Sequence, residues 1–165
     1  MTIPTSVAQL TQQLKQDTHA CESLLDLLNQ EKEALANRDM DRLDQLIAAK
    51  TEQLELLENS ARQRTEWARQ YLGAGNADVK QVQEAWQSML ETANVPEITA
   101  TWERLKELQQ SCKAANEVNG KILARNHKTF ERLLGIVRGQ TTTPNLYSAS
   151  GKSTASHISH KVGEA

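Results

Sequence analysis

Few side chains in this 165-residue sequence are typed and spaced for chemistry. His19, Cys21 and Glu22 fall within four positions, but zinc demands four ligands in tetrahedral array, which one helix face does not supply. A di-iron bundle site would need Glu-x-x-His pairs facing one another; Gln16 stands three residues before His19 and Ala124 three before His127. His157 and His160 form an H-x-x-H with no further ligand nearby, which reads as solvated histidine. Phosphate loops of the GxxxxGK[ST] form, GxSxG elbows and HExxH pairs are absent from the sequence. Cys21 and Cys112 stand 91 positions apart with no CxxC pairing, and a lone cysteine on an apolar helix face behaves as a small hydrophobe. The expectation is a protein that is not an enzyme, with no catalytic residue, no metal site and no cofactor.

Charge and composition narrow the class further. Nineteen Lys and Arg against 21 Asp and Glu give a net charge of −2, with signs alternating along the chain, so no basic stripe advertises a nucleic-acid partner. Aromatic residues make up 4%, too few for a sandwich or barrel that leans on aromatic and β-branched side chains. With glycine counted and tyrosine left out, the apolar share is roughly 41%, under the ~45–50% of ordinary domains, which predicts a thin core. No basic leader with an apolar run opens the sequence, and nowhere do ~18 apolar residues follow one another. No membrane insertion and a cytoplasmic location are expected.

The elements that must position any binding surface are helices. From Thr5 to Leu72 there are 68 residues without Gly or Pro, dominated by Leu, Ala, Gln, Glu, Lys and Arg, which cost little in a helix. Val7, Leu10, Leu14, Cys21, Leu24, Leu28 and Leu35 follow the 3-4 alternation of a coiled-coil seam, interrupted by Asp17 and Glu31. Ser6 and Gln9 can form a capping box, and the chain breaks at Asn37-Arg38-Asp39 with Asp39 as N-cap of a second helix. That helix carries Leu43, Leu46, Ile47, Leu54, Leu57, Ala61, Ala68 and Tyr71 on its seam and ends before Gly73. An antiparallel hairpin results, each arm about 45–50 Å long at 1.5 Å per residue. A short third helix, capped by Asn76 and bearing Trp86, bridges to a long fourth one starting at Pro96, whose fixed φ suits a first helical turn. The three tryptophans, Trp67, Trp86 and Trp102, read as anchors between them.

The fourth helix is apolar at Ile98, Trp102, Leu105, Leu108, Cys112, Ala115, Ile122, Phe130, Leu133, Leu134, Ile136 and Val137. Its middle is polar, at Asn116, Asn119 and Asn126, with Gly120 inside it at a cost of ~1 kcal/mol relative to Ala. After Gly139 the composition turns to Ser, Thr and Gly, unable to offset the entropy of ordering. The fold class is therefore all-α: an elongated antiparallel hairpin plus a short helix and a long C-terminal helix, a coiled-coil-like helical domain over 1–138, and a disordered tail over 139–165. Long seams bind other helices. The strip Ile122, Phe130, Leu133, Leu134 and Val137 can either close the bundle or receive a partner; buried on binding, each such side chain contributes ~1.5–3 kcal/mol against association costs of ~4–15 kcal/mol, which suits a reversible complex.

Trp102-x-x-Leu105, Leu108, Asn116 and Asn119-Gly120, together with Asn145-Leu146-Tyr147-Ser148-Ala149-Ser150-Gly151, resemble the Asn-Gly helix and Leu-Tyr-Gly-x-x-Gly tail motif of the FlgN-type flagellar export chaperones, type III export chaperones for the hook-filament junction proteins. The resemblance spans nearly the whole chain, its first half being a generic helical pattern. It implies a cytoplasmic helical chaperone that keeps hook-associated proteins 1 and 3 soluble and delivers them to the export apparatus. It also implies substrate contacts toward the C-terminus, where the five-residue strip lies, and a contact of Tyr147 with the cytoplasmic domain of the export gate protein FlhA. Ser148 departs from the family's usual Gly. A self-assembling structural coiled coil is the alternative, and a homodimer is left open.

Overall fold

The computed structural model describes residues 3–73 and 75–137; within the last helix the side chains of Phe130 and of residues 134–137 lie outside the description, as does the segment read as a tail. Four helices make up the described residues: α1 (Val7–Asn37), α2 (Met40–Leu72), α3 (Val79–Ala93) and α4 (Pro96–Val137). No strand occurs among them, so the all-α expectation holds. The chain divides into two compact units, Met1–Ala124 and Arg125–Ala165, with the division inside α4.

Local chemistry sets the helix ends where the sequence placed most of them. Ser6 accepts from the Gln9 backbone N–H at 3.1 Å while Gln9 Oε1 accepts from the Ser6 N–H at 3.1 Å, which satisfies two donors that the first turn of α1 would leave bare. The turn between α1 and α2 is made by Arg38, held at φ 55°, and by Asp39, whose N–H reaches back to the Ala34 carbonyl at 3.0 Å while its carboxylate accepts from the Arg42 N–H at 3.0 Å. Gly73 closes α2 at φ 66°, a left-handed conformation that costs glycine nothing. One cap differs. α3 starts two residues later than expected, because Asp78 and not Asn76 forms the reciprocal box, with Gln81, at 2.8 and 3.0 Å.

Within the first unit, α2 runs antiparallel to α1: Gln13 bonds Gln63, Glu31 meets Lys50, and Arg42 meets Gln30. α4 runs parallel to α1, since Lys15 pairs with Glu97, Glu22 with Arg104 and Leu28 with Asn119. The core is thickest at the end where α3 folds over the long helices. There Leu10, Leu14, Ala68, Met89, Ile98 and Leu105 are sealed from solvent. Trp86 and Trp102 meet edge to face, centroids 5.3 Å apart, and Trp67 packs half-buried on the same cluster, the anchoring role expected of the three. Toward the α1–α2 turn the core thins to Leu24, Leu28 and Cys112, and then to Ala34, Leu35, Leu43 and Leu46.

The seam of α2 departs from expectation. Ile47, Leu54 and Ala61 face solvent, while Lys50 is half-buried and Arg64 buried. Asp17 and Glu31, the two interruptions in the α1 seam, draw Arg64 and Lys50 inward as partners, while Leu43, Leu46 and Ala68 stay buried as expected. Val7 likewise stands exposed, ahead of the first core layer.

Candidate functional site

Two polar layers cross the first unit, and they determine where apolar side chains are left over. In the first, Asp17 on α1 is fully buried and its Oδ2 accepts from Arg64 Nη1 of α2. The same guanidinium reaches Gln13 Oε1 at 3.4 Å and sits 5.7 Å from the Trp102 ring centroid on α4, so one cation ties three helices together by an ion pair and a cation–π contact. In the second, Asn119 of α4 donates both its amide hydrogens inward, to the Leu28 carbonyl at 2.9 Å and to Glu31 Oε2 at 2.8 Å, while Glu31 Oε1 takes Lys50 Nζ at 2.8 Å. Asp17 Oδ1 and Asn119 Oδ1 carry no partner. Unsatisfied buried acceptors of this kind lower stability while polar seam layers fix register. Of the three asparagines, Asn119 is buried, Asn126 half-buried and Asn116 exposed.

Beyond the Asn119 layer, α4 has less to pack on. Ile122 is half-buried against the small cluster of Ala34, Leu35, Leu43 and Leu46 beside the α1–α2 turn. Leu123, its neighbour, is 59% exposed and Val118 40%. In the second unit, His127 lies 3.7 Å from Glu131 one turn on, and Leu133 is 54% exposed. Thus, of the five residues read as a guest-binding strip, Ile122 belongs to the first unit and touches its core, Leu133 belongs to the second and faces solvent, and Phe130, Leu134 and Val137 lie outside the described side chains, as does Tyr147.

Reasoning from sequence missed a second apolar surface. Met40, Ile47 and Leu54 on α2, seven residues apart, are 66%, 52% and 42% exposed. Its signal was present: charges of opposite sign, Asp17 with Arg64 and Glu31 with Lys50, are placed symmetrically about the Asp39 turn, and pairing them gives inward positions on α2 to Arg64 and Lys50.

The groups singled out for chemistry behave as packing or surface. Cys112 Sγ donates to the Cys21 carbonyl at 3.5 Å. Burial first, then the neighbouring Cys112, pushes the Cys21 thiol up to about 11, and burial raises Cys112 as well; both are poor nucleophiles when protonated. His19 and Glu22 line a shallow depression shared with Lys15 and Arg104, whose positive charges disfavour a cation. Among the described residues no cluster of three or more His, Cys, Asp or Glu could hold a metal, and no helix is long and apolar enough to cross a membrane. The geometry suits the binding of another polypeptide through apolar helix faces.

Comparison with known proteins agrees with that reading: the model of the family described as FlgN protein matches residues 1–155. No curated protein and no solved structure matches the chain.

Proposed function

The chain belongs to the FlgN family of flagellar export chaperones, and from that membership we propose that it binds the terminal helical segments of the hook-filament junction proteins, hook-associated proteins 1 and 3. In the cytoplasm it keeps them soluble and hands them to the cytoplasmic domain of FlhA at the export gate. It acts by binding alone, without turnover or cofactor.

The observation that supports the site assignment is the exposure of Leu133, more than half open to solvent. An amphipathic cargo segment has an apolar stripe prone to self-association, and Ile122, Phe130, Leu133, Leu134 and Val137 offer it a matching stripe. The helical domain over 1–138 carries this cargo contact, and the segment from 139 onward carries the gate contact, through Tyr147. A thin seam interrupted by polar layers suits a complex that must come apart before export.

Calorimetric titration of the full chain with each junction protein tests the proposal. Leu133→Asp and Phe130→Asp should each weaken cargo binding by about tenfold or more, in line with loss of a buried apolar anchor, and unchanged affinity would refute the assignment. Tyr147→Ala should leave cargo affinity intact and weaken capture by the FlhA cytoplasmic domain; equal loss of both would contradict the division of labour. The seven-residue spacing of Met40, Ile47 and Leu54 favours one other reading, a self-assembling coiled coil, which light scattering would reveal as species that grow with concentration.

A further inference from the structure

Cys21 and Cys112 stand 91 positions apart in the sequence, yet α1 and α4 bring them into one layer, where Cys112 Sγ donates to the Cys21 carbonyl at 3.5 Å. One heptad further on, Asn119 Nδ2 donates to the Leu28 carbonyl at 2.9 Å. The two helices therefore run in step, and α4 side chains reach the α1 backbone at two successive heptads. A side chain as short as cysteine makes such a contact only where the helices approach closely. By standard bond lengths, the 3.5 Å contact holds the two Cα atoms within roughly 9 Å of each other. A disulfide spans ~4.4–6.8 Å between Cα atoms, so closing one asks the helices to shift by no more than about 2 Å, the size of an ordinary helix displacement.

Both thiols are free and buried. After burial itself, the largest influence on the Cys21 thiol is Cys112, as befits neighbouring sulfurs. Their surroundings differ. Cys21 is 1% exposed and belongs to the large cluster with Leu14, Ala68 and Leu105. Cys112 is 7% exposed and belongs to the small one, whose other buried members are Leu24 and Leu28. Few buried apolar contacts hold that layer, so local opening costs less there than at the base, and the opening starts on the Cys112 side.

We propose that Cys21 and Cys112 form a reversible modification site, which hydrogen peroxide converts into a disulfide that staples α1 to α4 one heptad before the Asn119 layer. When the layer opens, the Cys112 thiol gives its proton to water, and the thiolate attacks one peroxide oxygen. The O–O bond breaks, the departing oxygen is protonated to water, and the sulfur is oxidised to a sulfenic acid. The Cys21 sulfur then attacks the Cys112 sulfur: the S–S bond forms, the S–O bond breaks, and the leaving hydroxide takes the Cys21 proton. Two thiols and one peroxide become one disulfide and two waters. In the closed state both thiols stay protonated and inert, so the pair responds to peroxide only as often as the layer opens. The staple closes a loop across 91 positions, which restricts the unfolded chain and stabilises the folded one. None of this depends on the chaperone reading.

The test is treatment of the full folded chain with hydrogen peroxide, followed by intact mass, a non-reducing peptide map and thermal unfolding. The expected product is a monomer lighter by two hydrogens, in which the peptides of Cys21 and Cys112 are joined. Its thermal midpoint should rise by about 5–15 °C and return on adding dithiothreitol. Cys21→Ser and Cys112→Ser, each checked by circular dichroism for unchanged helix, should show no such rise. Leu28→Ala, which loosens the small cluster around Cys112, should speed disulfide formation severalfold; a rate equal to wild type would overturn the opening step. Wild-type chain that keeps both thiols, forms covalent dimers, or carries the cysteines singly to sulfinic acid would overturn the site, as would a cross-linked monomer no more stable than the reduced one.

Discussion

Replacing Arg64 by Ala removes the guanidinium that pairs with the fully buried Asp17 carboxylate and lies against Trp102. Surface ion pairs contribute ~0–1 kcal/mol. A buried pair broken from one side costs ~3–5 kcal/mol, because the remaining charge stays desolvated. The side chain of Asp17 is 0% exposed and that of Arg64 10%, so the larger range applies. At ~2–4 °C per kcal/mol for a chain of this size, Arg64→Ala should lower the thermal midpoint by ~6–20 °C. The double variant Asp17→Leu/Arg64→Met removes both charges and should recover most of that loss, since apolar replacements of similar volume are neutral or stabilising by ~1–4 kcal/mol. Urea unfolding of wild type, both single variants and the double variant, followed by circular dichroism, closes the cycle. An Arg64→Ala loss below ~1 kcal/mol, the surface range, would show that the pair is solvated and refute the reasoning. So would a double variant as unstable as the sum of the singles.

Gly120→Ala should raise the stability of the free chain by ~1 kcal/mol, read as an increase in the urea midpoint, because a methyl there meets no neighbour and glycine is the costlier helix residue. Asn119→Ala removes the amide that bridges the Leu28 carbonyl and Glu31 and should destabilise by ~1.5–3 kcal/mol, the range for hydrogen bonds to a charged partner, detectable in the same unfolding series. Stability should also fall in alkali. The Cys21 thiol titrates at 9.0 when unfolded and near 11 when folded, so its contribution is intact below pH 9 and is lost as pH rises toward 11. Two units correspond to about 2–3 kcal/mol, and the slope should flatten in Cys21→Ala, measured by urea unfolding from pH 8 to 11.

Helix ends were legible in the sequence wherever a single residue type decides them: Ser6 with Gln9, Asp39, Gly73 and Pro96 each act within one turn. The cap of α3 was misplaced because Asn76 and Asp78 both suit the role, and only the return bond from Gln81 distinguishes them. Apolar seam positions were legible on α1, where Leu10, Leu14, Leu24 and Leu28 are all buried, since leucine at 3-4 spacing has one low-energy orientation. On α2 they were legible at Leu43, Leu46 and Ala68, which are buried, and not at Ile47, Leu54 and Ala61, because inward positions go to Lys50 and Arg64, whose burial depends on carboxylates that meet them only after the hairpin closes. For the same reason the exposure of Ile47 and Leu54 could not be read from the periodicity of α2: it follows from which α2 side chains the α1 carboxylates draw inward. The strip at the end of α4 was legible as an apolar face. Whether a residue on that face meets core or solvent depends on its level along α1 and α2, as half-buried Ile122 shows.

Hydrogen–deuterium exchange of the full chain, free and saturated with hook-associated protein 1, tests most directly where a guest helix lies. Binding is expected to slow amide exchange toward the end of α4, including the Leu133 turn, with α3 unchanged. Protection confined to α1 and α3, with α4 exchanging as fast as in the free chain, would contradict it.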